Sequence, residues 1–306
     1  MWNLRQRHPH TMADEKNRTG QARHSAPQSG MQLLRMSDRT FERFSEFIKT
    51  ELGIKMPASK KTLLEARLQK RLRDLCMNNH DEYCDYLFSA SGMEEELANL
   101  VDVVTTNTTD FFREPKHFEL LARTILPEIS ARGPSPGRVN IWSAGCSSGE
   151  EPYTLSMVLS EHSRLNPGFS FSILGTDIST QVLRMAVRAV YPEAKIGPIP
   201  IECRKRYLLR SKDHTRKVVR IAKEARSHVR FRRLNFMEPF TFDGQLDIIF
   251  CRNVVIYFDR KTQETLFSRF CRKLIPGGYL FIGHSESLAG MDLPLELVAP
   301  TVYRRI

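Results

Sequence analysis

Ile141-Trp142-Ser143-Ala144-Gly145-Cys146-Ser147-Ser148-Gly149-Glu150-Glu151-Pro152-Tyr153 is the stretch whose reading decides the fold. Val139 to Trp142 is a short apolar run of β-formers, and it leads straight into small residues and two glycines. Paired acids, a proline and an amphipathic helical pattern follow. A strand, a Gly-rich turn and a helix start, in that order, form a nucleotide-type cradle. Helix N-termini present free N–H groups, and glycine lets backbone approach a ligand without a Cβ clash. The dinucleotide fingerprint G-x-G-x-x-G is absent, because Gly145-Cys-Ser-Ser-Gly149 has no middle glycine. Glu150-Glu151 at the helix start would repel a pyrophosphate. Acids there suit a cationic or polyhydroxyl ligand better.

Downstream, strands and helices alternate. Tyr153–Ser163 is the crossover helix after the first strand. Phe169–Gly175 is the second strand, followed by Asp177, with Ser179 capping a helix from Thr180 to about Val190. Val229–Leu234 is followed by Asn235-Phe236, and Leu246–Cys251 by Arg252-Asn253. Arg260–Leu274 reads as a helix. Pro276-Gly277-Gly278 reads as a tight turn into Tyr279–Gly283, and Leu295–Val298 with Val302–Arg304 as a closing antiparallel pair. Continuous apolar strands between helices mean a mostly parallel sheet covered on both faces, a doubly wound α/β fold. A small β-subdomain, at about 192–228, is inserted in it. Ligands of such sheets bind at the strand C-termini near the switch point. Gly145, Glu150, Asp177, Asn235, Arg252 and Asn253 all follow strands and converge there, with Asp177 placed to take ribose hydroxyls. S-adenosylmethionine fits this chemistry: it carries a sulfonium, an amino group and ribose hydroxyls, and no phosphate.

Upstream, residues 1–32 are polar and basic and read as a disordered tail. Residues 33–104 read as a small all-α domain. A helix runs from Ser37, its cap, to Gly53, with Phe41, Phe44, Phe47 and Ile48 on one face. A second opens at Ser59, with Leu64, Leu68, Leu72 and Leu75 as its apolar stripe and Arg67, Lys70, Arg71 and Arg73 away from it. A third spans Glu82 to Ser89. A fourth starts near Met93 with Glu94 to Glu96 in its first turn, where the helix dipole favours acids. Residues 105–137 form a linker and a helix, His117 to Ile129. The linker run Thr105-Thr106-Asn107-Thr108-Thr109-Asp110-Phe111-Phe112-Arg113 is either a capping segment or a ligand-facing one, with Arg113 able to grip a carboxylate. Residues 138–306 are the sheet domain.

Hydrophobic content of 41% and charged content of 26% are those of a soluble globular protein. No apolar run reaches the roughly 20 residues of a membrane helix. The six cysteines are scattered without a CxxC pair, which points to reduced thiols in a cytoplasmic setting and to no metal. The net charge is +11. It is concentrated between Lys195 and Arg233, where fourteen Lys/Arg face Glu202, Asp213 and Glu224. Such a block suits an acidic macromolecule or nucleic acid, or a solvated face.

Four motifs, Thr105–Pro115, Trp142–Tyr153, Gly175–Ser179 and Phe250–Phe258, occur in order and resemble the chemotaxis receptor methyltransferases, the CheR-type family. The resemblance covers about residue 33 to the C-terminus. It implies an all-α domain, a linker, and a class I, seven-stranded, S-adenosylmethionine-dependent methyltransferase domain with an inserted β-subdomain. It implies methyl transfer to glutamate side chains of methyl-accepting chemotaxis receptors, for sensory adaptation, with S-adenosylhomocysteine as product. Carried over by position, Asn107, Thr109, Arg113, Gly145, Glu150, Asp177, Asn235, Phe236, Arg252 and Asn253 are the implied cofactor contacts. Arg113 and Tyr257 are the pair beside the transferring methyl. Arg67, Lys70, Arg71 and Arg73 are the implied docking face for acidic receptor helices. Some members grip a receptor C-terminal pentapeptide through a glycine-containing loop of the insert. Arg210-Ser-Lys-Asp-His-Thr-Arg216 has no glycine, so independence of that tether is expected. The expectation is a cytoplasmic monomer without membrane insertion or nucleic-acid binding. A nucleic-acid methyltransferase is the alternative, but Asn253-Val254-Val255-Ile256 lacks its Asn/Asp-Pro-Pro-aromatic signature. A non-catalytic cofactor-binding signalling module is a further alternative.

Overall fold

The computed structural model describes residues 33–131, 138–213, 215–242 and 244–306. The expected disordered tail at 1–32 lies outside them. In the all-α part, α1 (Asp38–Leu52) begins where the Ser37 hydroxyl accepts from Thr40 N–H at 3.2 Å and ends at Gly53, φ 71°. It buries Phe41, Phe44 and Ile48. A 3-10 turn (Ala58–Lys60) leads into α2 (Lys61–Asp74), which buries Leu64, Leu68 and Leu72. α3 (His80–Leu87) is capped by Asn79. These faces close one core with Tyr83, Leu100 and Val104.

The expected fourth helix is two. α4 (Ala90–Glu95) starts early, because the Ser89 hydroxyl accepts from Gly92 N–H at 3.1 Å. Glu94 and Glu95 therefore lie in its last turn, not its first. Glu96 opens α5 (Leu97–Val104) and is buried against Arg71.

The linker helix is continuous but not uniform: α6 (Pro115–Leu120), a π segment (Leu121–Ile125) and α7 (Leu126–Ser130). Pro127 has no N–H and would crowd the carbonyl four residues back. A widened turn relieves that, and Leu126 N–H accordingly reaches back to the Leu121 carbonyl.

The α/β part runs β1 (Arg138–Ala144), α8 (Glu150–Leu165), β2 (Ser170–Asp177) and α9 (Thr180–Arg188). The insert follows as β3 (Val190–Pro192), α10 (Ile201–Tyr207), β4 (Leu208–Arg210), β5 (Val218–Ile221) and α11 (Lys223–Arg226). The sheet resumes with β6 (Val229–Arg233), β7 (Leu246–Cys251), α12 (Arg260–Lys273), β8 (Leu274–Ile282), β9 (Leu295–Ala299) and β10 (Val302–Arg305). Its order is β6-β2-β1-β7-β8-β10-β9, and β10 runs antiparallel to both its neighbours. The insert is a separate antiparallel sheet, β3-β5-β4. Because side chains alternate along a strand, Ile141 packs in one core layer with Leu155 and Phe171, and Trp142 in the other with Phe267 and Phe270.

Pro276-Gly277-Gly278 is not a turn before the last parallel strand but a bulge within it. The β7–β8 pairing slips from Leu246 with Leu274 to Ile248 with Tyr279. Gly277 takes φ 75°, a conformation glycine adopts without strain.

Candidate active site

β1 lies between β2 and β7, so the chain winds away from it in both directions. Beyond the C-terminal ends of β1, β2, β6 and β7 lies a cleft lined by the residues that follow those strands, mainly apolar with a few polar groups, as small-molecule sites are. The helical domain closes its other side with Leu52, Ile54, Met56, Leu63 and Val104.

The residues after the strands build its floor. Gly145 takes φ 82°, and a Cβ there would stand 2.4 Å from Val254 Cγ2. The Asp177 carboxylate accepts from Ser147 N–H at 2.8 Å and from Ser179 N–H at 3.0 Å. It thus ties the turn after β1 to the end of β2, and each oxygen keeps a lone pair for a further donor. Burial pushes its pKa up, against the pull of those amides. Asn235 donates to the Glu51 carbonyl at 2.8 Å and accepts from Met237 N–H at 3.0 Å, joining α1 to the sheet. Asn253 stands at φ 59°. Asn107, Phe236 and Tyr257 also line the cleft, and Lys60 Nζ lies 5.7 Å from the Tyr257 ring centre.

Other predicted contacts have different surroundings. Glu150 is fully buried and does not line the cleft; Lys195 Nζ donates to it at 2.8 Å and Ser148 Oγ at 2.6 Å. Arg252 is buried too. It donates to Glu151 at 2.7 Å, to the Arg113 carbonyl at 2.7 Å and to Glu114 at 3.2 Å, and its guanidinium lies 5.1 Å from the Phe118 ring centre. Arg252 therefore clamps the linker to the sheet rather than facing the cleft. Arg113 donates to the Thr108 carbonyl at 3.1 Å, and the Thr109 carbonyl accepts from Lys195 at 3.3 Å; neither residue lines the cleft.

The basic face of α2 is divided. Arg67 lines the cleft and donates to the Val104 carbonyl and to Thr106 Oγ1. Arg71 is withdrawn from any docking face by its paired bonds to Glu96, at 2.6 and 2.7 Å, and by Asp74 at 2.9 Å. Lys70 and Arg73 stay exposed.

Sequence reasoning missed Glu286. Its carboxylate accepts from Gly283, Asn253, Val254 and Val255 N–H at 2.6, 3.0, 2.9 and 3.0 Å. It holds in place the turn that carries Asn253 and Val254 into the cleft. The only signal was an acid two residues after a strand-end His284. The helical wall of the cleft was missed as well, because no periodicity reports contacts between domains. Glu114, His117 and His284 lie close together. Both His117 nitrogens are engaged, with Arg252 at 3.2 Å and Thr301 at 2.8 Å. Burial and the neighbouring Arg252 charge lower its pKa to about 4. A guanidinium at that distance makes the cluster a poor cation site.

A mostly parallel seven-stranded sheet with an antiparallel β10, a switch-point cleft and an acid ending β2 defines a class I methyltransferase. The comparisons agree and go further. Residues 39–105 match the CheR methyltransferase all-alpha domain and residues 107–304 the CheR methyltransferase SAM binding domain. A chemotaxis protein methyltransferase of Borreliella burgdorferi is 40% identical over 86% of this chain and 93% of its own. Chemotaxis protein methyltransferase 2 of Pseudomonas aeruginosa is 36% identical over 91% and 97%. The chemotaxis protein methyltransferase of Escherichia coli is 36% identical over 88% and 92%. The chain belongs to the CheR methyltransferase family and is an S-adenosylmethionine-dependent methyltransferase.

Proposed function

We propose that this enzyme methylates glutamate side chains in the cytoplasmic methylation helices of chemotaxis receptors. The supporting observation is the cleft, which combines a polar floor of Asn107, Asp177, Asn235 and Asn253 with apolar walls and opens beside the basic helix α2. That composition fits the cofactor. Asp177 and the asparagines match hydroxyl and amino groups, and Ile54, Ile178, Phe236 and Val254 match the flat, apolar part of an adenosine.

When bound, S-adenosylmethionine supplies a methyl group on a cationic sulfur. A glutamate carboxylate is already ionised at neutral pH, so the chain need not provide a base. Its residues have three other tasks: to hold the acceptor in line, to keep water out and to leave the carboxylate weakly solvated. Tyr257 lines the cleft with a hydroxyl that can orient the acceptor, and Lys60 and Arg67 supply positive charge at the same wall. Arg113 lies on the linker, six residues from Asn107, and reaches the reaction centre by leaving the Thr108 carbonyl. Lys70 and Arg73 on α2 meet the acidic receptor helix. Among the described residues, part of the charge of the basic insert is paired, Lys205 on Glu202 and Arg216 on Asp213 within it and Arg206 on Glu161 of α8. That favours a protein acceptor over nucleic acid.

Tritiated methyl transfer to receptor cytoplasmic fragments tests the proposal. Label released by mild base, as from a methyl ester, is the expected result. Base-stable label, or none, would overturn it.

A further inference from the structure

The inserted subdomain contacts the methyltransferase core at several places, and two of these contacts reach the segments that flank the cleft. Lys195 Nζ donates to Glu150 Oε1 at 2.8 Å and to the Thr109 carbonyl at 3.3 Å. Tyr191 OH donates to the Ser148 carbonyl at 2.7 Å, and its ring packs edge-on against Phe111, with centres 4.9 Å apart. Ser148 and Glu150 belong to the turn between β1 and α8, and Thr109 and Phe111 to the linker. Each segment leads into the cleft, through Gly145 on one side and Asn107 on the other. Ser147 Oγ also donates to the Asn107 carbonyl at 2.7 Å, so the turn and the linker are already in contact.

The charge balance makes Lys195 more than a surface contact. The Glu150 side chain has 0% exposure, while that of Lys195 has 38%. A buried carboxylate without a partner is strongly unfavourable, and here the partner comes from the insert, 45 residues further along the chain. Among the described residues, the other oxygen of Glu150 accepts from the Ser148 hydroxyl alone. The orientation of the turn therefore depends on a cation carried by a different subdomain.

We propose that Lys195 is a positioning residue. Through the Glu150 carboxylate and the Thr109 carbonyl it fixes the β1–α8 turn and the linker in the geometry that binds S-adenosylmethionine, and it makes cofactor affinity responsive to the inserted subdomain. The proposal rests on cofactor binding in the cleft and is independent of the methyl acceptor.

The test uses the full chain. Calorimetric titration with S-adenosylhomocysteine first establishes binding by the unaltered protein; its absence would overturn both the assignment of the cleft and this proposal, whereas a failure of receptor methylation alone bears only on the acceptor. Lys195→Met, which keeps the aliphatic stem, is expected to weaken binding about tenfold and to raise KM for the cofactor more than it lowers kcat. Lys195→Arg should recover most of the affinity. Glu150→Gln should reproduce the loss, and the double variant should be no worse than either single one. Lys205→Met, which removes an exposed cation from the same insert, is the control. Unchanged affinity in Lys195→Met, or an equal loss in Lys205→Met, would overturn the proposal. A fall in the unfolding midpoint without a change in affinity would also overturn it, because it marks packing alone. If Lys195→Met does not fold, Glu150→Gln and Lys195→Arg decide by the same affinity criteria.

Discussion

Arg252, at the end of β7, shows how one side chain can join three other parts of the chain: helix α8 through Glu151, the linker through the Arg113 carbonyl, and the start of the linker helix through Glu114. Arg252→Met leaves Glu151 charged and without its guanidinium. A loss of roughly 3–5 kcal/mol is expected from breaking such a buried pair, readable as a lower urea midpoint at an unchanged slope. Gly145→Ala acts on space instead. A Cβ 2.4 Å from Val254 Cγ2, at φ 82°, closes the cleft from below. Cofactor affinity should fall at least about tenfold, about 1.4 kcal/mol or more by titration, and adding Val254→Ala should recover part of it. His117 gives a pH signature. Its pKa falls from 6.5 to about 4, through burial first and the Arg252 charge second. Below pH 6.5 the unfolded chain takes up a proton that the folded chain refuses. Stability is therefore present above that pH and is lost as pH falls toward 4, by roughly 3 kcal/mol in all. His117→Gln should flatten the denaturation midpoint across that window.

At the scale of elements, the turn after β7 depends on one carboxylate. Glu286 accepts four main-chain N–H groups, and burial still raises its pKa. Glu286→Gln puts an amide donor where two of those amides need an acceptor. A destabilisation of about 1–3 kcal/mol and weaker cofactor binding are expected together, measured by thermal unfolding and titration. The element boundaries repeat the same lesson about competition between local signals. α1 starts and stops where Ser37 and Gly53 dictate, since both cap motifs are written within five residues of the helix end. The acids 94–96 misled because a stronger signal, Ser89, had already started the helix. Pro276-Gly277-Gly278 suits a turn or a bulge equally well, and only the pairing of β8 with β7 chose the bulge.

At the scale of the molecule, two domains share one cleft. Lys55 N–H donates to the Tyr257 carbonyl at 2.8 Å, and Asn235 holds the end of α1. A ligand between them should raise both units' unfolding temperature together, by an amount set by its concentration over its Kd. The exposed part of α2 should govern receptor affinity alone. Lys70→Glu is expected to raise KM for a receptor fragment several-fold, with a reduced salt dependence, and to leave cofactor titration unchanged.

By itself the sequence determined the alternation of strands and helices, the cradle at 141–153, the absence of a phosphate fingerprint and the acid at 177. All of these follow from local periodicity, cap chemistry and glycine placement. The tertiary structure decided which of the predicted contacts face the cleft. Gly145, Asp177, Asn235 and Asn253 do, while Glu150 and Arg252 are turned inward by Lys195 and Glu151. A charged residue's role depends on where its counter-charge lies. Here the counter-charges are 45 and 101 residues away, beyond the reach of any local pattern.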